Sequence, residues 1–159
     1  MCKVKMETKC VVKIFLTVTT VDNIKKIEYH TYAIAKNVWY CAVRETYRFD
    51  ELPKVLKHIQ ETQSKENFEL FVTTLIKNFN LPTQRTELGS QLSKKVIELD
   101  LSTYYESGFK YQIFNEVGGN RYCFMDSIDI ITAFPRNIEI IKTTIHPNDY
   151  TVFVERLLQ

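Results

Sequence analysis

The chain has 159 residues, 45% of them hydrophobic and 25% charged. That is the make-up of a globular protein with a self-sufficient core, and it excludes wholesale disorder. A formal charge of +2 and a pI near 8.3 are too mild to mark nucleic acid or a membrane as partner on charge alone, and they exclude an acidic DNA mimic.

No run of 18 apolar residues is present, so no transmembrane segment and no membrane partner is expected. Behind the basic start Met1 to Lys9, Lys13 interrupts the apolar run before it reaches secretory-signal length. Four cysteines, Cys2, Cys10, Cys41 and Cys123, form no Cys-x-x-Cys pair. They read as small buried hydrophobes in a reducing, cytoplasmic setting rather than as disulfides or zinc ligands. Phe, Tyr, Met, Ile, Asn and Lys outnumber Gly, Ala, Arg and Pro by 61 to 18. That bias belongs to an AT-rich genome and points to a virus or mobile element as the source.

In chain order, Val11 to Thr20 alternates Ile14, Leu16 and Val18 against Lys13, Phe15 and Thr17, a strand with one buried side. After the turn at Val21-Asp22-Asn23, Lys26 to Ala35 returns as a second strand, and Asn37 separates it from a third, Val38 to Tyr47. The alternation in the third sets Trp39, Cys41 and Val43 on one side and Tyr40, Ala42 and Arg44 on the other. Asp50 is the expected N-cap of a helix with apolar Leu52, Val55, Leu56 and Ile59 opposite Lys54 and Lys57. Ser64 is the expected cap of the next, whose stripe is Phe68, Phe71, Val72, Leu75, Ile76 and Phe79, stopped at Asn80-Leu81-Pro82.

A polar connection, Thr83 to Ser93, precedes a restart. Ile97, Leu99 and Leu101 alternate with Glu98 and Asp100. Phe109 to Glu116 follows the turn at Ser107-Gly108, and Gly118-Gly119-Asn120 makes a hairpin into Arg121 to Met125. Between 126 and 146 the pattern is mixed: the β-branched residues Ile138, Ile140, Thr143 and Ile145 favour a strand, while the repeat described below predicts a helix from about Pro135, and helix is the expectation. Asn148 or Asp149 is expected to cap a closing helix carrying Tyr150, Phe153, Val154, Leu157 and Leu158 on one face.

Laid over itself with a shift of 82, the chain matches at eight of 37 positions between Tyr40–Ile76 and Tyr122–Leu158, beginning with Tyr40-Cys41 on Tyr122-Cys123 and including Pro53 on Pro135. The expected fold is therefore α+β: one domain, 1–159, of two similar halves, 10–82 and 93–159. Each half is a three-stranded antiparallel meander followed by helices packed on one sheet face.

Catalytic chemistry finds little footing. Asp126, Asp129, Glu139 and Lys142 lie where a metal nuclease would hold its carboxylates, but Glu139 and Lys142 are three apart and would fall on opposite faces of a strand. His30, His58 and His146 sit in no nucleophile or metal-ligand spacing, and Gly118-Gly119 lacks the following helix of a phosphate loop. No cofactor and no metal is expected, and the function is read as non-enzymatic.

Aromatic residues beside cations are the positive signal: Tyr29 and Tyr32 near Lys25 and Lys26, Tyr40 with Arg44, Tyr47 with Arg48. Such groups hold single strands of nucleic acid. Trp39 to Leu56 resembles the third strand and first helix of the phox-homology lipid-binding domains, although Glu45 stands where that family has its phosphoinositide-binding arginine and the proline-rich loop is missing. Val96 to Leu158 is similar in layout to one repeat of the Pur, Whirly and related single-strand binders. That likeness implies strands around Gly108-Phe109, a closing helix and intertwined repeats. Two functions are carried forward. One is an intracellular binding protein that occludes a macromolecular partner such as a host nuclease or nucleoprotein complex; the other is a single-stranded nucleic-acid-binding protein using the open face of a duplicated sheet.

Overall fold

The computed structural model describes residues 11–79, 96–105 and 107–159. The stop at Asn80-Leu81-Pro82, the connection Thr83 to Ser93, and Cys2 and Cys10 lie outside the described residues. Strands β1 (Val11–Val21), β2 (Ile24–Ala35) and β3 (Val38–Arg48) form one antiparallel sheet in that order, and β4 (Val96–Tyr104), β5 (Gly108–Val117) and β6 (Asn120–Ile130) form a second. Each sheet is followed by a 3-10 turn and two helices. These are α1 (Leu52–Thr62) and α2 (Lys65–Phe79) in the first half, and α3 (Phe134–Thr144) and α4 (Pro147–Leu157) in the second. The chain is thus α+β with the expected duplicated architecture, and it divides into two compact units, Met1–Leu52 and Pro53–Gln159.

The 82-residue shift holds at the level of single bonds. It carries β3 onto β6, the 3-10 turn Phe49–Glu51 onto Ile131–Ala133, and α1 onto α3, each at both ends. In β3 the register runs Thr31↔Val43 then Tyr32↔Cys41, leaving Ala42 unpaired; in β6 it runs Ile113↔Met125 then Phe114↔Cys123, leaving Phe124. These two β-bulges are 82 apart. So are the bond from the Thr62 hydroxyl to His58 O and that from the Thr144 hydroxyl to Ile140 O, and the bonds Gln63 N to Ile59 O and Ile145 N to Ile141 O. A shared helical period does not reproduce a bulge, so the repeat is a true duplication.

Three hairpin loops use the same turn chemistry. Asp22-Asn23, Lys36-Asn37 and Gly118-Gly119 all place both central residues at positive φ, the arrangement whose twist suits a two-residue hairpin.

In the second unit the core lies on one side of β4-β5-β6. Leu99, Leu101, Phe109, Tyr111 and Ile113 are buried, as is the stripe Phe68, Val72, Leu75, Ile76 and Phe79 of α2, which packs on β4 and α4. Each of these large side chains stabilises the fold by roughly 1.5 to 3 kcal/mol before entropy is counted. Phe79 meets Phe153 edge to face at 5.4 Å, and Arg156 lies 4.3 Å above the Phe79 ring while donating to Phe79 O at 3.0 Å. Phe109 meets Phe134 at 5.3 Å, which ties β5 to α3.

The helix expected from about Pro135 is present, starting at Phe134, and residues 126–130 complete β6. Other local expectations are corrected. Asp50 stands inside the 3-10 turn Phe49–Glu51 rather than at the residue before α1. The chain enters through the 3-10 turn, Arg48 N donates to Glu51 Oε1 at 2.9 Å, and the Asp50 carboxylate accepts from the Arg48 guanidinium at 3.1 and 3.2 Å. Ser64 does cap α2, its hydroxyl accepting from Asn67 N at 3.1 Å. The cap of α4 is His146 rather than Asn148 or Asp149: Nδ1 accepts from Asn148 N at 3.0 Å and Pro147 opens the first turn. Cys41 and Cys123 are exposed, not buried, because both lie on edge strands next to a bulge. Their thiols donate to Val43 O and Met125 O.

Candidate functional site

Residues directly opposite in an antiparallel pair share a face, so the register of the first sheet sorts its side chains. Leu16, Ile27, Tyr29 and Thr31 are buried on one face. The other face carries Lys13, Phe15, Thr17 and Thr19 from β1, Lys26, Glu28, His30 and Tyr32 from β2, and Trp39, Cys41, Arg44, Thr46 and Arg48 from β3. Its outer strands are open: Phe15 is 45% and Trp39 46% exposed.

The sequence-derived site residues divide between the two faces. Tyr29 is 1% exposed, so it belongs to the core and offers no platform; its partner across the pair is Leu16. Tyr40 pairs with Ala33 and Arg44 with His30, so the bulge at Ala42 sends Tyr40 and Arg44 to opposite faces although simple alternation places them together. Tyr47 pairs with Ile27 on the face of the core, and its hydroxyl donates to Glu45 Oε1 at 2.5 Å. That bond, with burial and the Glu45 charge, pushes its pKa up to about 12. Lys26, Arg44 and Arg48 share the open face, where Arg48 is held by Asp50 and Arg44 lies 3.7 Å from Glu28.

Of the expected rings Tyr32 does lie on the open face, and in place of Tyr29 and Tyr40 it is joined by Phe15 and Trp39, one ring from each strand. Phe15 and Tyr32 meet edge to face at 5.7 Å, His30 abuts Tyr32 at 5.9 Å, and Lys13 Nζ sits 5.4 Å from the centre of the Trp39 ring. Around this diagonal stand four cations, Lys13, Lys26, Arg44 and Arg48, against one carboxylate, Glu28. The alternation of β1 already pairs Lys13 with Phe15. Trp39 joins them only because of the bulge, which no residue pattern announces.

The matching face of the second sheet has drifted. It holds Glu98 and Asp100 from β4, Lys110, Gln112, Phe114 and Glu116 from β5, and Arg121, Cys123, Asp126, Ile128 and Ile130 from β6, with carboxylates outnumbering cations. Its one cation-aromatic pair is closed on itself. Arg121 lies 3.7 Å over Phe114 and donates to Glu98 at 2.6 Å.

The acidic residues weighed for nuclease chemistry form no centre. Asp129 accepts from Asn137 at 2.9 Å, Arg136 at 2.8 Å and Ile130 N at 2.8 Å. These bonds, the one from Asn137 foremost, hold its carboxyl below the usual range. Asp129 is therefore a clasp between β6 and α3. Among the described residues no group of three or more His, Cys, Asp or Glu converges as a metal site, and no helix is long and apolar enough to cross a membrane.

No protein-family model, no curated protein and no solved structure matches this chain.

Proposed function

We propose that this is a non-enzymatic binding protein whose working surface is the open face of the first sheet, and that its ligand is single-stranded nucleic acid. The observation that carries the reading is the diagonal Phe15–Tyr32–Trp39 with Lys13, Lys26, Arg44 and Arg48 around it. Successive bases stack on rings of any sequence context, and cations beside the rings follow the phosphates, so affinity arises without a base-specific pocket. The matching face of the second sheet, where carboxylates outnumber cations, offers no such platform.

Trp39 is the only tryptophan in the chain, so its fluorescence reports on this face directly. An oligonucleotide of about 30 bases should quench it, and Trp39→Ala should weaken binding by roughly 1 to 3 kcal/mol. With three to four phosphates neutralised, affinity should fall roughly 20- to 50-fold between about 50 and 200 mM salt. No quenching and no binding at the lower salt would sink the reading. A protein or nucleoprotein partner would then take its place, favoured by the exposed aromatics Tyr40, Tyr122 and Phe124 near the β2-β3 and β5-β6 hairpins.

A further inference from the structure

Tyr105, in the β4-β5 hairpin, sits at φ 57°, the left-handed region, and is 85% exposed. A bulky side chain meets its own backbone there, and this one recovers almost no burial in return. Asn is among the side chains that tolerate the region best, and Asn23 and Asn37 occupy it in the β1-β2 and β2-β3 hairpins, at φ 66° and 64°. The β4-β5 hairpin carries there instead an aromatic ring that the turn does not need.

Beside that ring lies a cavity of about 320 Å³ lined by Thr73 and Lys77 of α2, Thr103 of β4, Tyr105 and Gly108. Thr73 and Lys77 are one helical turn apart on the same stripe. Among the described residues no hydrogen bond or ion pair engages the Thr73 and Thr103 hydroxyls or the Lys77 ammonium. Gly108 has no room for a side chain: a Cβ there would stand 2.8 Å from Tyr104 O and 3.2 Å from Asp129 O, so a larger residue would displace backbone.

We infer that this cavity is a second binding site, which takes a nucleoside phosphate. Lys77 and the two threonine hydroxyls hold the phosphate while the Tyr105 ring, already edge-packed on Tyr104 at 4.3 Å, stacks on the base. Its volume is at the small end of ligand sites, roughly 300 to 1,000 Å³, which suits one nucleotide rather than a folded nucleic acid. The phosphate comes from a free nucleotide or from the end of a strand. The residues involved are separate from those of the first sheet, so the inference does not rest on that face binding anything.

The test is an amide NMR titration of the whole chain with AMP, UMP, inorganic phosphate and a 5′-phosphorylated oligonucleotide as probes. AMP or the oligonucleotide should shift the amides of Thr73, Lys77, Thr103 and Tyr105, and should bind at least about fivefold tighter than inorganic phosphate because stacking adds to the anion contact. Saturation by AMP assigns the site to free nucleotides, and saturation by the oligonucleotide alone assigns it to strand ends. Lys77→Gln should weaken binding about tenfold. Tyr105→Asn should reduce nucleotide affinity to that of phosphate while raising the melting temperature, an outcome that excludes unfolding as the cause. Trp39→Ala should leave these shifts intact, whatever it does to the first sheet. No shift by any nucleotide probe, a shift unchanged by Lys77→Gln, or inorganic phosphate binding as tightly as nucleotide would overturn the inference.

Discussion

Asp149 shows how a single side chain sets a pH response. It is 3% exposed at the third position of α4, and its Oδ2 is buried without a hydrogen-bond partner. Burial, only partly offset by His146, pushes its carboxyl up to about 6 from the ordinary 3.8. Between those two values the folded state keeps a proton that the unfolded state has released, so stability falls as pH rises from about 4 to 6 and stays lower above that window. Asp149→Asn keeps the shape and removes the charge. It should raise the melting temperature at pH 7.5, leave it nearly unchanged at pH 4, and flatten the profile between. A thermal scan across pH would read this directly, and equal shifts at both ends would disprove the assignment. The expectation that Asn148 or Asp149 caps the helix located the neighbourhood, but the capping atom is on His146, three positions before Asp149.

At the scale of the element, hairpins decide register, and their turns are under uneven strain. Lys36-Asn37 adopts the left-handed pair at φ 52° and 64°, where Asn-Gly is the favoured sequence. Converting it with Lys36→Asn and Asn37→Gly should stabilise the fold by about 0.5 to 1 kcal/mol in a denaturant titration. Gly108→Ala should act the other way, by roughly 1 to 3 kcal/mol, because the added Cβ meets carbonyl oxygens of Tyr104 and Asp129 rather than movable side-chain ends. Most elements were legible because their patterns are strong, as with the α2 stripe and the alternation of β1 and β4. The bulges at Ala42 and Phe124 were not, since an extra residue in a strand changes hydrogen bonding without changing composition.

Across the whole molecule, two sheets that share the register and bulge of their β2-β3 and β5-β6 pairs carry open faces of different charge. The first is aromatic and basic; the second carries Glu98, Asp100, Glu116 and Asp126. If the first sheet's face holds the strand, its own cations set the affinity. Lys13→Gln with Arg44→Gln should lower single-strand affinity by about an order of magnitude. Glu116→Gln with Asp126→Asn should change it by no more than about twofold. Similar effects from both pairs would mean that overall charge, not the first sheet's face, governs binding.

Sequence by itself determined the α+β class, the order of strands and helices, the 82-residue repeat and most of the core, because hydrophobic period and turn chemistry are local properties that the residues carry with them. Only the tertiary structure decided which residues can meet a ligand. Tyr29 went to the core, Tyr40 was turned from Arg44, and Trp39 was brought beside Lys13 and Tyr32. The face a strand residue occupies depends on its partner across the sheet, and one bulge inverts that assignment for every residue on its far side.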